Sequence, residues 1–476
     1  KVESVMELFL PFVAGNACVF RSDNSQHLVQ RLSEEDRQKL VFDPTQFLWR
    51  DYFRKIHVPG LEKWVLPKLE AELTDKPKQA FVFRSLVELF TEATHKYRHK
   101  IAFNYNTSEG PEYLTFGQVR TLTERVAGFL KNKDAGAGDK VLIVSENRPE
   151  WAATYFGIQW AGLTAVPVDS ASTALEIATI AKTSQASGII VSPEVAERLQ
   201  KGNSSSELSE LLALEEEGAI PIWPMSAVIN HKNRLLKAEA PARIASIIFT
   251  SGTTGTPKGV MLSQRNFTFE VSRLGGVFEL GKEDHLLSVL PLHHTFEFTA
   301  GLLVPFSRGS EITYLEELTS DTLSSALECG VTGLIGVPAL WELLERRIDS
   351  KINDAGPLPT LVMEGVKNVN LFLREHFDIN AGSIAAYPIH RALGGRLKHL
   401  VSGGSALNPE VTEFFRGLGF NLTQGYGLTE TAPVLTVSDP TKGYLEGSVG
   451  KPLPGVEVRI DSPNQDGVGE VFARGP

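Results

Sequence analysis

Basic residues are outnumbered, cysteines are nearly absent and long apolar runs are missing, and each shortage removes a class of protein. Lys and Arg total 47 against 57 Asp and Glu, so the net charge is 47 − 57 = −10. That balance argues against a general nucleic-acid binder, because a phosphate backbone needs a basic footprint. Any phosphate ligand must be held locally. The only cysteines, Cys18 and Cys329, lie far apart without metal-ligand spacing, which argues against a disulfide scaffold or a zinc site and fits a reducing cytoplasm. No apolar run approaches the roughly 18 to 20 residues that span a bilayer. The opening KVESVMELFLPFVAG lacks a signal peptide's small-residue cleavage site, so any membrane contact is expected to be peripheral. The chain starts without Met, as a processed or cut piece does. No internal repeat is visible, and the low-complexity content is one small polar patch, NSSSELSELL, from Asn203.

What is present is a chain of 476 residues, too long for one ordinary core, so several packed subdomains are expected. A hydrophobic fraction of 42% with 41 glycines suits a globular mixed α/β protein rich in turns. Residues 1–73 read differently from the rest. FRSDNSQHLVQRLSEEDRQKL and FDPTQFLWRDYFRKIHVPGLEKWVLPKLE are aromatic and charged; Ser33 followed by Glu34, Glu35 and Asp36 marks a helix start, and Pro44, Pro59 and Pro67 punctuate the stretch after it. This helical N-terminal extension resembles, in its FRSDN and WRDYFRKIHVPGL wording, the C-terminal tail of male-sterility-type fatty acyl-CoA reductases. The resemblance implies a reductase upstream of the chain; a plain helical extension is the alternative. TDKPKQ, within 74–80, reads as a linker. From residue 81 onward, amphipathic helices such as SLVELFTEATHKY alternate with strands such as IAFNYN, VLIVSEN and GIIVS. Such alternation predicts parallel strands joined by crossover helices.

The most informative stretch is SIIFTSGTTGTPKGVMLSQRN, from Ser246. An apolar strand runs into a loop where Thr250, Ser251, Thr253 and Thr254 supply hydroxyls. Gly252, Gly255 and Gly259 allow close backbone approach, and Lys258 adds a positive charge behind Pro257. Glycine amides form an anion nest and hydroxyls donate to it, so the loop suits phosphate. It is not a Walker A loop, since Lys258 follows Pro257 and no Ser or Thr comes next. As a whole, TSGTTGTPKGV resembles the phosphate-binding signature of the adenylate-forming superfamily, which includes acyl-CoA synthetases, luciferases and peptide-synthetase adenylation domains.

Three further segments stand in the order that family requires. VSGGSALNPE resembles its adenine-binding turn, with Gly403, Gly404 and Ser405 against the base. QGYGLTET resembles the next signature, Gln424, Gly425, Tyr426 and Gly427 among its residues; there Tyr426 is implied to stack on adenine, Thr429 to reach the α-phosphate and Glu430 to bind magnesium. LPLHHTFEFTAGLLVPFSRG resembles the substrate-side motif, placing His294 and Phe296 at the carboxylate end of an acyl tunnel, with Glu297 next as in the long-chain members. Adjacent His293 and His294 point different ways with no third ligand evident, so packing or hydrogen bonding is expected of them before metal binding. Val337 and Pro338 of GLIGVPALWELL are expected along the same tunnel.

The resemblance covers roughly Phe81 to Pro476. It implies an α/β fold: the multi-subdomain N-terminal domain of the acyl-adenylate-forming enzymes, two αβαβα-type sheets plus a small distorted β-barrel, with the C-terminal lid domain absent. The implied reaction is activation of a long-chain fatty acid with ATP and magnesium, followed by transfer to coenzyme A. The alternatives are loading of an acyl carrier protein and a non-catalytic nucleotide- or acyl-binding module. Because the family's C-terminal Lys is not in this sequence, weakened catalysis is expected of this chain.

Overall fold

A computed structural model describes residues 31–39, 82–107, 110–202, 220–250, 257–439 and 445–476. The chain divides into two compact units, residues 1–77 and 78–476. The described residues of the first contain a short helix, Glu34–Lys39. Ser33 opens it as read from sequence: its Oγ accepts the Asp36 N–H at 3.2 Å and donates to Asp36 Oδ2 at 2.7 Å. The other readings made for residues 1–73, the linker and the patch near Asn203 lie outside the described residues.

The second unit is built on two large sheets. The chain enters through the antiparallel pair β1 (Ile101–Thr107) and β2 (Gly110–Thr115). It then forms a six-stranded sheet from β3 (Lys140–Val144), β4 (Thr164–Val168), β5 (Ala186–Val191), β6 (Ile222–Pro224), β7 (Ile244–Thr250) and β8 (Lys258–Ser263), in the order β6-β5-β3-β4-β7-β8. All neighbours are parallel except the hairpin β7/β8. The sequences KVLIV and TAVPV are apolar on both faces, and both faces are covered, as a parallel sheet requires.

The chain next returns to the first sheet with β9 (His285–Ser288), β10 (Glu311–Leu315), β11 (Gly333–Gly336), β12 (His399–Ser402), β13 (Leu422–Tyr426), β14 (Thr436–Val437) and β15 (Lys451–Pro452). The order of that nine-stranded sheet is β15-β14-β13-β12-β11-β9-β10-β1-β2. β9 to β13 run parallel, while β14 and β15 add antiparallel strands at the edge. The strands β16 (Glu457–Asp461) and β17 (Glu470–Arg474) pair as a separate antiparallel ribbon. The β-rich C-terminal part therefore consists of a sheet extension and a ribbon.

Helix Pro149–Trp160 lies between the two sheets, touching β3 and β4 of one and β1 of the other. Its sequence, PEWAATYFGIQW, is apolar on nearly every side, and all but one of its residues are buried. Tyr155 meets Phe298 with ring centroids 4.4 Å apart, and Phe90 meets Phe156 at 4.5 Å. Each such fully buried ring contributes about 1.5–3 kcal/mol relative to exposure. Elsewhere helices start where capping predicts: Thr115 with Gln118 and Thr173 with Glu176 form reciprocal capping boxes.

This topology creates a crevice of the kind in which open α/β sheets bind ligands. β9 and β11 are neighbours, and the chain leaves β9 toward β10 on one side but leaves β11 toward β12 on the other, so the two crossovers run in opposite directions. Loops beyond the carboxyl ends of strands at such a switch point diverge and leave a crevice. The segments after β9, β11, β12 and β13 are those carrying the motifs read from the sequence.

Candidate functional site

Lys258 opens β8, exposed, and pairs in register with half-buried Thr250 at the end of β7. The loop that this hairpin closes contains Ser251, Gly252, Thr253, Thr254 and Gly255, which lie outside the described residues. β8 also lies against the short 3₁₀ turn Thr429–Thr431. The strand that begins at Lys258 is thereby brought to the turn bearing Thr429, half-buried, and Glu430, exposed. Thr431 braces that turn: its Oγ1 accepts the Leu428 N–H at 2.9 Å.

On the neighbouring strands, two glycines make room for specific side chains. A Cβ on Gly403 would sit 2.8 Å from Phe296 Cζ, closer than carbon atoms approach, so the Phe296 ring lies directly on the Gly403 backbone. Gly404 takes φ +86° beside Val337 Cγ1. Gly403 also donates its N–H to the Gly336 carbonyl at 3.2 Å, tying the β12 exit to the β11 exit. Ser405 is exposed next to them, and Pro338 is buried at the first turn of helix Pro338–Asp354. Phe296, Val337, Gly403 and Gly404 thus meet in one wall, although the sequence reading had set the two glycines at an adenine-binding turn and Phe296 and Val337 along an acyl tunnel.

Residues of QGYG take different places. Tyr426 is half-buried, with its backbone held by Leu435. Gly425 stands in register with Val437. Gln424 is buried, and its amide reaches Thr412 Oγ1 at 3.5 Å. At Gly427 a Cβ would lie 1.7 Å from the Pro433 carbonyl oxygen, so chain packing already demands glycine there.

His293 and His294 come after β9, their rings 4.1 Å apart. Burial holds both imidazoles below their ordinary pKa; Asp169 opposes this in part. Both are therefore neutral near pH 7.

Two residues behind these histidines were not identified as site residues from sequence. Asn147, just past β3, donates Nδ2 to the Leu290 carbonyl at 2.6 Å and accepts the Leu292 N–H on Oδ1 at 2.8 Å. It clamps the β9 exit that carries His293 and His294 to the other sheet. The available signal was an Asn placed between a buried strand and Pro149. Glu297, fully buried, begins a π-helical segment, Glu297–Leu303. Widened turns of this kind recur at functional sites. Its Oε1 accepts from Ser288 Oγ at 2.5 Å, its Oε2 has no partner among the described residues, and Gly301 leaves the space its carboxyl fills. Burial pushes the Glu297 pKa from 4.5 up to about 8, with the Ser288 bond opposing, so the group is mostly protonated at neutral pH. Tyr314, opposite Ser288 in the strand register, is likewise buried, and its hydroxyl has no partner among the described residues.

The arrangement suits a nucleotide beside an acyl group: a cation and a solvent-facing carboxylate at one end, and a backbone surface faced by Phe296 and Val337 at the other. Glu430, exposed on the turn that β8 touches, carries the kind of hard oxygen that could hold a magnesium ion.

Comparison with known proteins agrees with this fold. The family model described as AMP-binding enzyme matches residues 90–476, and that described as Male sterility protein matches residues 1–68. The long-chain-fatty-acid–CoA ligase ACSBG1 of Homo sapiens is 26% identical over 420 residues, 80% of this chain and 57% of its own length. The chloroplastic long-chain-fatty-acid–[acyl-carrier-protein] ligase AEE15 of Arabidopsis thaliana is 25% identical over 497 residues, 89% of this chain and 67% of its own length. The chain therefore spans little more than half to two thirds of these relatives. Among solved structures, the inhibitor-bound N-terminal domain of FACL13 from Mycobacterium tuberculosis superposes with a TM-score of 0.62 at 18% identity, covering 83% of this chain and 89% of that one. With three of the four motifs following strands at one switch point and the family model spanning most of its length, the chain belongs to the AMP-binding enzyme family.

Proposed function

We propose that this chain forms the nucleotide and acyl pockets of an enzyme that activates a long-chain fatty acid as its acyl-adenylate. The observation that carries this reading is a juxtaposition: Lys258 on a strand packed against the Thr429–Thr431 turn, and Phe296 seated on Gly403 beside Val337. The fatty-acid carboxylate attacks the α-phosphorus of ATP and pyrophosphate leaves. Two anions must meet for this, so positive charge and fixed dipoles are the main catalytic need. Lys258 and Thr429 face the phosphates, Tyr426 stacks on adenine, and the Phe296–Gly403 wall directs the acyl chain. Glu430 would hold magnesium, whose charge offsets that of the phosphates. His294 borders the reacting carboxylate as a neutral hydrogen-bonding group. The thiol acceptor in the whole protein is coenzyme A, matching what ACSBG1 is named for; AEE15 supports acyl carrier protein as the second candidate. The near absence of cysteine fits a cytoplasmic setting.

The test is calorimetric binding of a palmitoyl-sulfamoyl adenosine, a stable mimic of the adenylate, together with mass-spectrometric detection of acyl-AMP from magnesium ATP and a ladder of fatty acids. Binding that Lys258→Ala weakens, with adenylate from long chains, supports the reading. Absence of both would overturn it.

The match of residues 1–68 to the Male sterility protein model favours a second activity beside the first, in which acyl activation is joined to reduction in one polypeptide. NADPH oxidation dependent on fatty acid and ATP by the whole gene product would establish it.

A further inference from the structure

At the end of the nine-stranded sheet away from the switch point, a second polar cavity opens. β1 runs parallel to β9 through β10, so the segment just before Ile101 lies at the end of the sheet opposite the histidines and the glycine turns. There a cavity of about 290 Å³ is lined by His95, Arg98, Arg120 and Arg234, with Thr94 and Thr121 in its wall. These residues come from three separate parts of the chain: the end of helix Leu86–Lys96, the start of helix Phe116–Asn132, and the loop before β7.

Two of the three guanidiniums are held in place, and the charge of the set exceeds what Glu124 neutralises. Glu124, 3% exposed, accepts Arg120 Nε at 3.0 Å on one oxygen and Arg234 Nε at 2.9 Å on the other. Arg120 also lies over the Trp160 ring, 5.0 Å from its centroid. Each arginine keeps N–H groups that Glu124 does not use. Arg98 and His95 have no side-chain partner among the described residues. Gly117 accommodates Arg98, since a Cβ there would sit 3.0 Å from Arg98 Cγ. Three guanidiniums against one carboxylate leave 3 − 1 = +2 in the pocket, on a chain whose total is −10. The positive end of the 17-residue helix Phe116–Asn132 adds to that field.

A structural ion pair would satisfy Glu124 with one arginine. Two fixed guanidiniums and a third unpaired one, converging from three elements, instead suit a ligand with several negative oxygens, and tetrahedral phosphate oxygens match the guanidinium fork. We propose that this cavity is a second binding site, separate from the nucleotide loop, for a phosphate-bearing small molecule. The volume accommodates inorganic pyrophosphate readily and lies near the lower limit of small-molecule sites. The inference does not depend on the reaction proposed above.

Calorimetry with inorganic pyrophosphate tests it, using the Lys258→Ala chain so that the nucleotide loop is weakened. Saturable binding at low salt is expected, about tenfold weaker in Arg98→Gln and again in Arg120→Gln, and weaker in all as salt rises. Arg98 is exposed and unpartnered among the described residues, so its replacement leaves the fold intact. ADP binding tenfold tighter than pyrophosphate and weakened alike by Arg98→Gln would identify a nucleotide as the source of the phosphate, and equal affinity a free phosphate compound; ADP binding that Arg98→Gln leaves unchanged belongs to the nucleotide loop and counts against the site. Absence of binding up to about 10 mM, affinity unchanged in Arg98→Gln, or succinate binding as well as pyrophosphate would overturn it.

Discussion

Replacing Glu297 by Gln gives a measurable test of the buried carboxyl behind the candidate site. The side chain is fully buried, accepts a hydrogen bond from Ser288, and has its second oxygen without a partner among the described residues. Its pKa is raised from 4.5 to about 8. Between those values the folded chain keeps the proton and the unfolded chain has lost it. Stability therefore falls as pH rises from about 4.5 to about 8, and the loss is complete above the folded-state value. Each pH unit across that window corresponds to 1.36 kcal/mol per proton, so (8 − 4.5) × 1.36 sets a ceiling of about 5 kcal/mol. Relaxation around a newly formed carboxylate reduces that to roughly 2–3 kcal/mol. Gln carries no titratable proton, so Glu297→Gln should remove this part of the slope. Urea denaturation from pH 5 to pH 9 should show the two proteins' stabilities diverging in the variant's favour as pH rises, by about 2–3 kcal/mol at pH 9. Parallel curves would refute the buried, protonated carboxyl.

Asn147→Ala removes two well-formed hydrogen bonds to the β9 exit and should cost about 2 kcal/mol in urea denaturation, while lowering adenylate-analogue affinity through the displaced His293–His294 segment; a change below about 0.5 kcal/mol would mean the clamp is incidental. Gly403→Ala places a methyl group 2.8 Å from the half-buried Phe296 ring, so the ring should turn into the crevice, lowering analogue affinity at least tenfold with little change in stability, as calorimetry and melting would show. Lys258→Ala should slow adenylate formation by 100-fold or more, and Glu430→Gln should raise the magnesium concentration giving half-maximal pyrophosphate release about tenfold.

The residues of the wall could be picked out from sequence because they follow strand ends, where a short local pattern fixes the backbone, but the seating of Phe296 on Gly403 could not. Phe296, Val337, Gly403 and Gly404 each belong to a segment whose strand or turn can be read within a few residues, and the parallel order then brings those segments together. Gln424 and Gly427 show the limit of that reading. They belong to the same motif, yet their packing is set by Thr412 and Pro433, which no local pattern identifies. Asn147 was invisible for a related reason: its partners Leu290 and Leu292 stand 143 and 145 residues away. The burial of Glu297 depends on Gly301 and on a widened helical turn whose extra residue breaks the 3.6-residue period. The parallel β-α alternation was evident from apolar runs, whereas the antiparallel β2 at the sheet edge, half-exposed and polar, carried no such signal.

The early position of β1 has a consequence for how the protein is made. Its partner in the sheet is β10, with Phe103 opposite Ile312, 209 residues later. All six strands of the other sheet emerge from the ribosome between them and pair with one another. At roughly 5–20 residues per second, β1 waits on the order of 10–40 s with one edge unpaired after it has been synthesised. Such an edge attracts other strands. During that interval the six-stranded sheet can already form, and helix Pro149–Trp160, packed on it, offers the apolar surface on which β1 can rest until β10 arrives. The order in which the strands are translated thus makes the first sheet completed a shelter for the second sheet's oldest strand.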